Sequence, residues 1–242
     1  MNNLLNQWVN VLVIVLLSLC IFSATAFSSH HINELKSIAD QGCVFSQYNL
    51  GVIYYGGIGV TPDLNEALYW FRRAAKQGYV DAEVSIAAIY YLGKGVPQDY
   101  TEAAKWARKA ADQDDAEAQY NLGMMYYGGR GVPQDYSEAV VWLKKAAQQD
   151  YLDALFGLGL LYYEGTGVSQ SYVESAQYFK RAAEQGSGDA QAVLGAMYYE
   201  GQGVVQNFNE AIKWFKRSAK QGNQEALYYL NGLCMERSSA CR

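Results

Sequence analysis

Histidine is almost missing from this chain. His30 and His31 are the only two in 242 residues, and they are adjacent. The commonest acid–base pairs and zinc-ligand sets need histidine at separated positions, so those chemistries find no footing here. There is no G-x-x-x-x-G-K-[ST] phosphate loop and no C-x-x-C pair. No Pro/Gly-rich linker or low-complexity run divides the chain. Cysteine is sparse, at four residues. Positive charge is in deficit, with 19 Lys and Arg against 24 Asp and Glu for a net charge of −5, which argues against general nucleic-acid binding. No catalytic residue, metal or cofactor is expected.

What the chain has is repetition. Gly129-Arg130-Gly131-Val132 recurs as G-x-G-V at Gly57, Gly93, Gly165 and Gly201, always 36 residues apart. A fixed period of that size, with no insertion, is the pattern of stacked helix pairs. Within one copy, Ala118, Leu122, Met125 and Tyr126 fall at helical spacing. Gly128 to Gly131 then ends that helix. Asp135 opens a second helix, and Glu138 three residues on predicts a capping box. The same pairing recurs as Asp63/Glu66, Asp99/Glu102, Ser171/Glu174 and Asn207/Glu210. The second helix carries Ala139, Val140, Trp142, Leu143, Ala146 and Ala147 as an apolar stripe and turns basic at its end. It stops at Gly78, Gly186 and Gly222, or at Asp114 and Asp150.

The pattern A-x-x-x-L-G-x-x-Y-x-x-G-x-G-V, an acidic cap, then A-x-x-W-x-x-x-A-A-x-x-G resembles the Sel-one-like repeat, a relative of the tetratricopeptide repeat. Departures are small: Ile86-Ala87 in the second copy, Tyr178 in the fourth and Ser218 in the fifth. The resemblance implies an all-α, right-handed α/α solenoid of helix–turn–helix repeats. It also implies a role in protein–protein interaction, with the first helices lining a concave groove and the second helices on the convex face. Some relatives are linked to β-lactam binding or hydrolysis. The serine enzymes of that kind need S-x-x-K, S-D-N and K-T-G, and none of the three occurs here.

Taken in order, Met1 to Ala26 reads as a secretory signal peptide. Its apolar run, Val11 to Phe22, is shorter than the roughly 20 residues that span a bilayer, and Ala24-Thr25-Ala26 is an A-x-A cleavage pattern. The n-region lacks Lys and Arg, so an uncleaved membrane anchor is the alternative. Residues 27–42 are a lead-in, where the two histidines are expected to be a solvated tail. Repeats occupy 43–78, 79–114, 115–150, 151–186 and 187–222. Residues 223–236 are a capping helix with a more polar outer side, and 237–242 are a tail. The mature chain is expected to be one elongated domain, periplasmic or secreted, with no membrane contact after cleavage.

Cleavage would remove Cys20 and leave Cys43, Cys234 and Cys241. Five helix pairs at about 8–10 Å per helix separate Cys43 from Cys234, far beyond the 7 Å or so that a disulfide tolerates. Cys234 with Cys241 is the candidate pair. Cys43 is then free, or links two copies of the chain.

Each first helix ends in two tyrosines. The first of each pair is expected to pack between helices. The second, rotated about 100° further round the helix, shares a face with other large side chains. The expected groove residues are Tyr48, Tyr55, Tyr91, Tyr120, Met124, Tyr127, Phe156, Tyr163 and Tyr199. The competing expectation is that these side chains pack against the next repeat. Asp81, Glu117, Asp153 and Asp189 would put acid along one rim, so the favoured ligand is an apolar or aromatic protein segment with some positive charge. A β-lactam binder and a homo-oligomeric element are the alternatives.

Overall fold

The computed structural model describes residues 29–236. The expected signal peptide (residues 1–26), the tail and Cys241 lie outside the described residues. Two compact units divide the chain, Met1–Asp99 and Tyr100–Arg242. The first contains α1 (Ser29–Asp40), α2 (Val44–Gly56), α3 (Leu64–Ala75) and α4 (Val80–Leu92). The second contains α5 (Tyr100–Asp112), α6 (Ala116–Gly128), α7 (Tyr136–Gln148), α8 (Leu152–Glu164), α9 (Tyr172–Glu184), α10 (Gly188–Glu200), α11 (Phe208–Lys220) and α12 (Gln224–Glu236). The described residues form twelve helices and no strand, and inside each unit every helix packs on the next in sequence. This is helix–turn–helix solenoid packing. Among the described residues no helix is long and apolar enough to cross a membrane.

The glycine loops do two jobs. The helices α2, α4, α6, α8 and α10 end at Gly57, Gly93, Gly129, Gly165 and Gly201, all in the left-handed conformation with φ between 63° and 77°. Only glycine takes that geometry without steric cost. The chain then reverses and the next helix starts on an extended residue. Asp63, Asp135, Ser171 and Asn207 each accept a bond there from backbone N–H groups two or three residues on.

The expected capping box is only half formed. Its returning half needs the glutamate to accept from the N-cap N–H. In every copy that N–H is already taken by the carbonyl of the first tyrosine in the preceding helix: Asp63 by Tyr54, Asp99 by Tyr90, Asp135 by Tyr126, Ser171 by Tyr162 and Asn207 by Tyr198. In the first two copies the glutamate takes a side-chain donor instead. Glu66 accepts from the Trp70 indole at 3.1 Å and Glu102 from Trp106 at 3.0 Å. Inside each unit one backbone bond thus ties the two helices of a repeat together, which a capping box would not have done.

A glutamine ladder joins successive repeats. Gln77, Gln149 and Gln221 each donate to the carbonyl of the left-handed turn one repeat earlier, Gly42, Asp114 and Gly186, at 3.0, 2.9 and 3.0 Å. The same amides donate to the buried Gln47, Gln119 and Gln191 at 2.8, 3.0 and 3.0 Å. Asp114 and Asp150 hold the left-handed position that glycine fills at Gly78, Gly186 and Gly222. Apolar packing supplies the rest. Gly159 and Gly195 face the buried rings of Phe179 and Phe215, and a Cβ at either would sit 2.7 Å from the ring. Each such phenylalanine contributes roughly 1.5–3 kcal/mol by burial.

Two expectations need correction. The lead-in is not a tail. Residues 29–40 form α1, which buries Ile32 and Ala39 against the first repeat, with His31 exposed on it. The side chain of His30 lies outside the described residues. The outer side of α12 is mixed rather than simply polar: Gln224, Glu225 and Asn231 are exposed, but so are Tyr228 at 77% and Met235 at 87%. Cys234 is disulfide-bonded and Cys43 is free, so no bond joins those two.

Candidate functional site: a cleft on the first-helix side

In each repeat the first tyrosine of the pair belongs to the packing. Tyr54 is buried, with the Lys36 ammonium 5.1 Å over its ring. The hydroxyl of Tyr90 accepts from Arg72, and that of Tyr126 from Arg108. Tyr162 stacks on Tyr178 at 5.6 Å, with Lys144 5.3 Å from its centroid. The Tyr162 phenol holds that ammonium above its ordinary pKa.

The second tyrosines are half in and half out. Tyr127 leans on Tyr136 at 5.3 Å, Tyr163 on Tyr172 at 5.1 Å and Tyr199 on Phe208 at 5.7 Å. Each partner is the first residue of the following helix. The outer edge of these rings reaches the glycine loop one repeat on. Lys94 lies 4.3 Å over the Tyr55 ring with its amine 3.2 Å from the hydroxyl, and the Tyr163 hydroxyl donates to Gln202 at 3.0 Å. Tyr91 is half-buried. Tyr48 and Tyr120 are half-buried against Tyr79 and Tyr151, at 4.9 and 5.2 Å, and Phe156 meets Phe179 edge-on at 5.4 Å. Met124 and Leu160 stand more open, about two-fifths exposed. The face expected to bind therefore consists of partly buried aromatics with aliphatic side chains between them.

In the second unit that face carries a cleft of about 280 Å³. Leu160 and Tyr163 of α8, Phe179 of α9, and Val193, Ala196 and Met197 of α10 line it. Gln202, Glu200, Glu225 and Tyr229 complete it. The lining holds two carboxylates and no cation. Glu225 continues the acidic column of Asp81, Glu117, Asp153 and Asp189 one repeat further. Burial raises the pKa of the Tyr229 phenol, and the charges of Glu225 and Glu200 add to that effect. Burial likewise raises that of Asp153.

The second-helix side of each unit is differently occupied. Its cations cover the tryptophans of the second helices: Arg73 over Trp70 at 4.9 Å, Lys109 over Trp106 at 4.0 Å, Lys145 over Trp142 at 3.8 Å and Arg217 over Trp214 at 4.8 Å. Arg73 also pairs with Asp40 at 2.5 Å and Arg181 with Asp150 at 2.6 Å.

Among the described residues no group of three His, Cys, Asp or Glu could hold a metal ion. The cleft offers apolar surface, one amide, two phenols and two carboxylates, which is equipment for recognition. Sequence reasoning named Tyr163 and put Phe156 on this face, but did not name Val193, Glu200, Gln202, Glu225 and Tyr229. Carrying the 36-residue columns on into 223–236 would have reached Glu225 and Tyr229, the equivalents of Asp189 and Val193.

The Sel1 repeat family model matches residues 44–79, 80–115, 116–151, 152–187 and 188–223. A Sel1 repeat protein from Oxalobacter formigenes is 33% identical, with 84% of this chain and 83% of that one covered and a TM-score of 0.77. The c5321 protein, a protective antigen of uropathogenic Escherichia coli with an SLR fold, is 34% identical with a TM-score of 0.55. That likeness covers 86% of this chain and 52% of c5321, so the chain spans about half of that protein's length. No curated protein matches the chain.

Proposed function

The chain belongs to the Sel1 repeat family, and from that premise we propose that it is an exported scaffold that receives a protein or peptide on the faces of its first helices. Sel1 repeat proteins generally mediate protein–protein interaction and are generally non-catalytic. The observation that carries the choice of face is the contrast between the two sides of the second unit. The first-helix side has an open apolar cleft with carboxylates and no cation in its lining. On the second-helix side the cations Lys109, Lys145 and Arg217 already lie over the protein's own tryptophans. Tyrosine suits such a surface because it buries a large rigid ring and keeps a hydroxyl for bonding.

Export rests on residues 1–26, with the apolar run ahead of Ala24-Thr25-Ala26. N-terminal sequencing of the cellular protein should find a start near Phe27. An intact Met1 in the membrane fraction would refute that part.

The binding face is tested by placing a photocrosslinking amino acid at Leu160, or at the exposed Gln177 of α9, in the full chain and irradiating the native cells. Adducts should form from position 160 and not from 177. Adducts from 177 alone would move the site to the second helices. Steady turnover of a chromogenic β-lactam by the purified protein would overturn the non-catalytic reading.

A further inference from the structure

The five repeats resemble one another closely, so a site is best sought where their symmetry breaks. It breaks at the cleft. The last residue of the first helix is Gly56, Leu92 or Gly128 in the first three copies and Glu164 or Glu200 in the last two. A carboxylate there meets the negative end of the helix dipole, which disfavours it as a purely structural choice. The column that holds Asn49, Ser85, Asn121 and Gly157 becomes Val193 and then Tyr229, both of which line the cleft. Apolar lining and acidic edge thus arrive together, in the same part of the chain.

We infer that this cleft is a subsite for one apolar side chain of the partner, flanked in the partner's sequence by a lysine or arginine. The inference deepens the proposed function and rests on its choice of face. Three observations select the occupant. The volume, about 280 Å³, lies just below the roughly 300–1,000 Å³ of small-molecule pockets, which suits a side chain or two rather than a cofactor. The walls are aliphatic and aromatic, with Leu160 still 38% exposed and available for contact. Glu200 and Glu225 have no ion-pair partner among the described residues, and both charges bear on Tyr229. A guest carrying positive charge relieves that field, whereas an acidic guest adds to it. Charge of this kind selects among partners more than it adds raw affinity.

The test uses the full chain and four matched hexapeptides whose central pairs are Phe-Lys, Phe-Ser, Phe-Glu and Ser-Lys. Binding is read from the methyl resonances of Leu160, Val193 and Met197. Phe-Lys should shift these methyls saturably and bind about tenfold more tightly than Phe-Glu. The double variant Glu200→Gln/Glu225→Gln should abolish that preference, bringing Phe-Lys and Phe-Glu to equal affinity. Both carboxylates are exposed, so the variant should keep the parent's far-ultraviolet spectrum and melting profile. Equal affinity for Phe-Lys and Phe-Glu overturns the proposal, as does the absence of shifts with every peptide. If crosslinks still form from Leu160 in either case, the face binds and only the subsite chemistry is wrong. If crosslinks from Leu160 are missing as well, the choice of face itself fails.

Discussion

Alanine at Gly186 and alanine at Gly167 separate two costs that glycine avoids in this fold. Gly186 ends the second helix α9 at φ +101°, and a Cβ there would meet nothing within 4 Å. Its substitution pays only for the left-handed backbone, roughly 1–2 kcal/mol, less the roughly 0.4–1 kcal/mol by which alanine restricts the unfolded chain. A net loss near 1 kcal/mol is expected. Gly167 has φ +72°, and its Cβ would also lie 2.5 Å from the backbone oxygen of Tyr136. Backbone cannot step aside as a flexible side chain would, so overpacking adds about 1–3 kcal/mol. Gly167→Ala should therefore lose roughly 2–4 kcal/mol, and clearly more than Gly186→Ala. Gly186→Asp should lose less than Gly186→Ala, because Asp114 and Asp150 already hold that place at φ 67° and 58°. Urea unfolding followed by circular dichroism measures all three, with hydrogen exchange to catch repeats that open locally. Equal losses at Gly167 and Gly186 would refute the reasoning, since the close approach of the loop to α7 would then carry no weight.

Two other perturbations bear on the same packing. Gln149→Ala removes the amide that joins Asp114 to the buried Gln119, and leaving those groups unsatisfied should cost about 1–3 kcal/mol in urea unfolding. Cys43 holds the position just ahead of α2, and hydrogen bonding with Ser46 lowers its thiol pKa below the ordinary value. Its alkylation by iodoacetamide should therefore reach half-maximal rate at a lower pH than for a free thiol, because the thiolate persists further into the acid range. Ser46→Ala should move that midpoint upward, and an unchanged midpoint would remove Ser46 as the cause.

The repeat and its two helices were legible because their determinants are local. A glycine in the left-handed conformation every 36 residues and an extended polar residue ahead of each second helix can be read without knowing any neighbour. The partner of Glu66 could not be read that way. It depends on the Tyr54 carbonyl reaching the Asp63 N–H first, a contact made between helices. The helix α1 was missed because it has neither the tryptophan nor the glycine loop of a repeat, although Ile32, Leu35 and Ala39 keep helical spacing. The outward apolar groups of α12 were missed because a half-repeat at the end of a stack invites the assumption of a polar cover, whereas Tyr228 and Met235 face solvent beside Gln224 and Asn231. The second tyrosines sat between two readings, and their half-buried rings, leaning on Tyr136, Tyr172 and Phe208, explain why spacing alone could not choose. The cleft needed three first helices in place at once. Only then do Leu160, Glu200 and Glu225, distant in sequence, edge one cavity.

The most direct test of first-helix binding is a methyl map of the complex with the captured partner. Leu160, Val193 and Ala196 report on the cleft, and the exposed Val141 and Val173 report on the second helices α7 and α9. Saturable shifts confined to the first set are the expected result. Shifts confined to Val141 and Val173, with the cleft methyls unmoved, would contradict it.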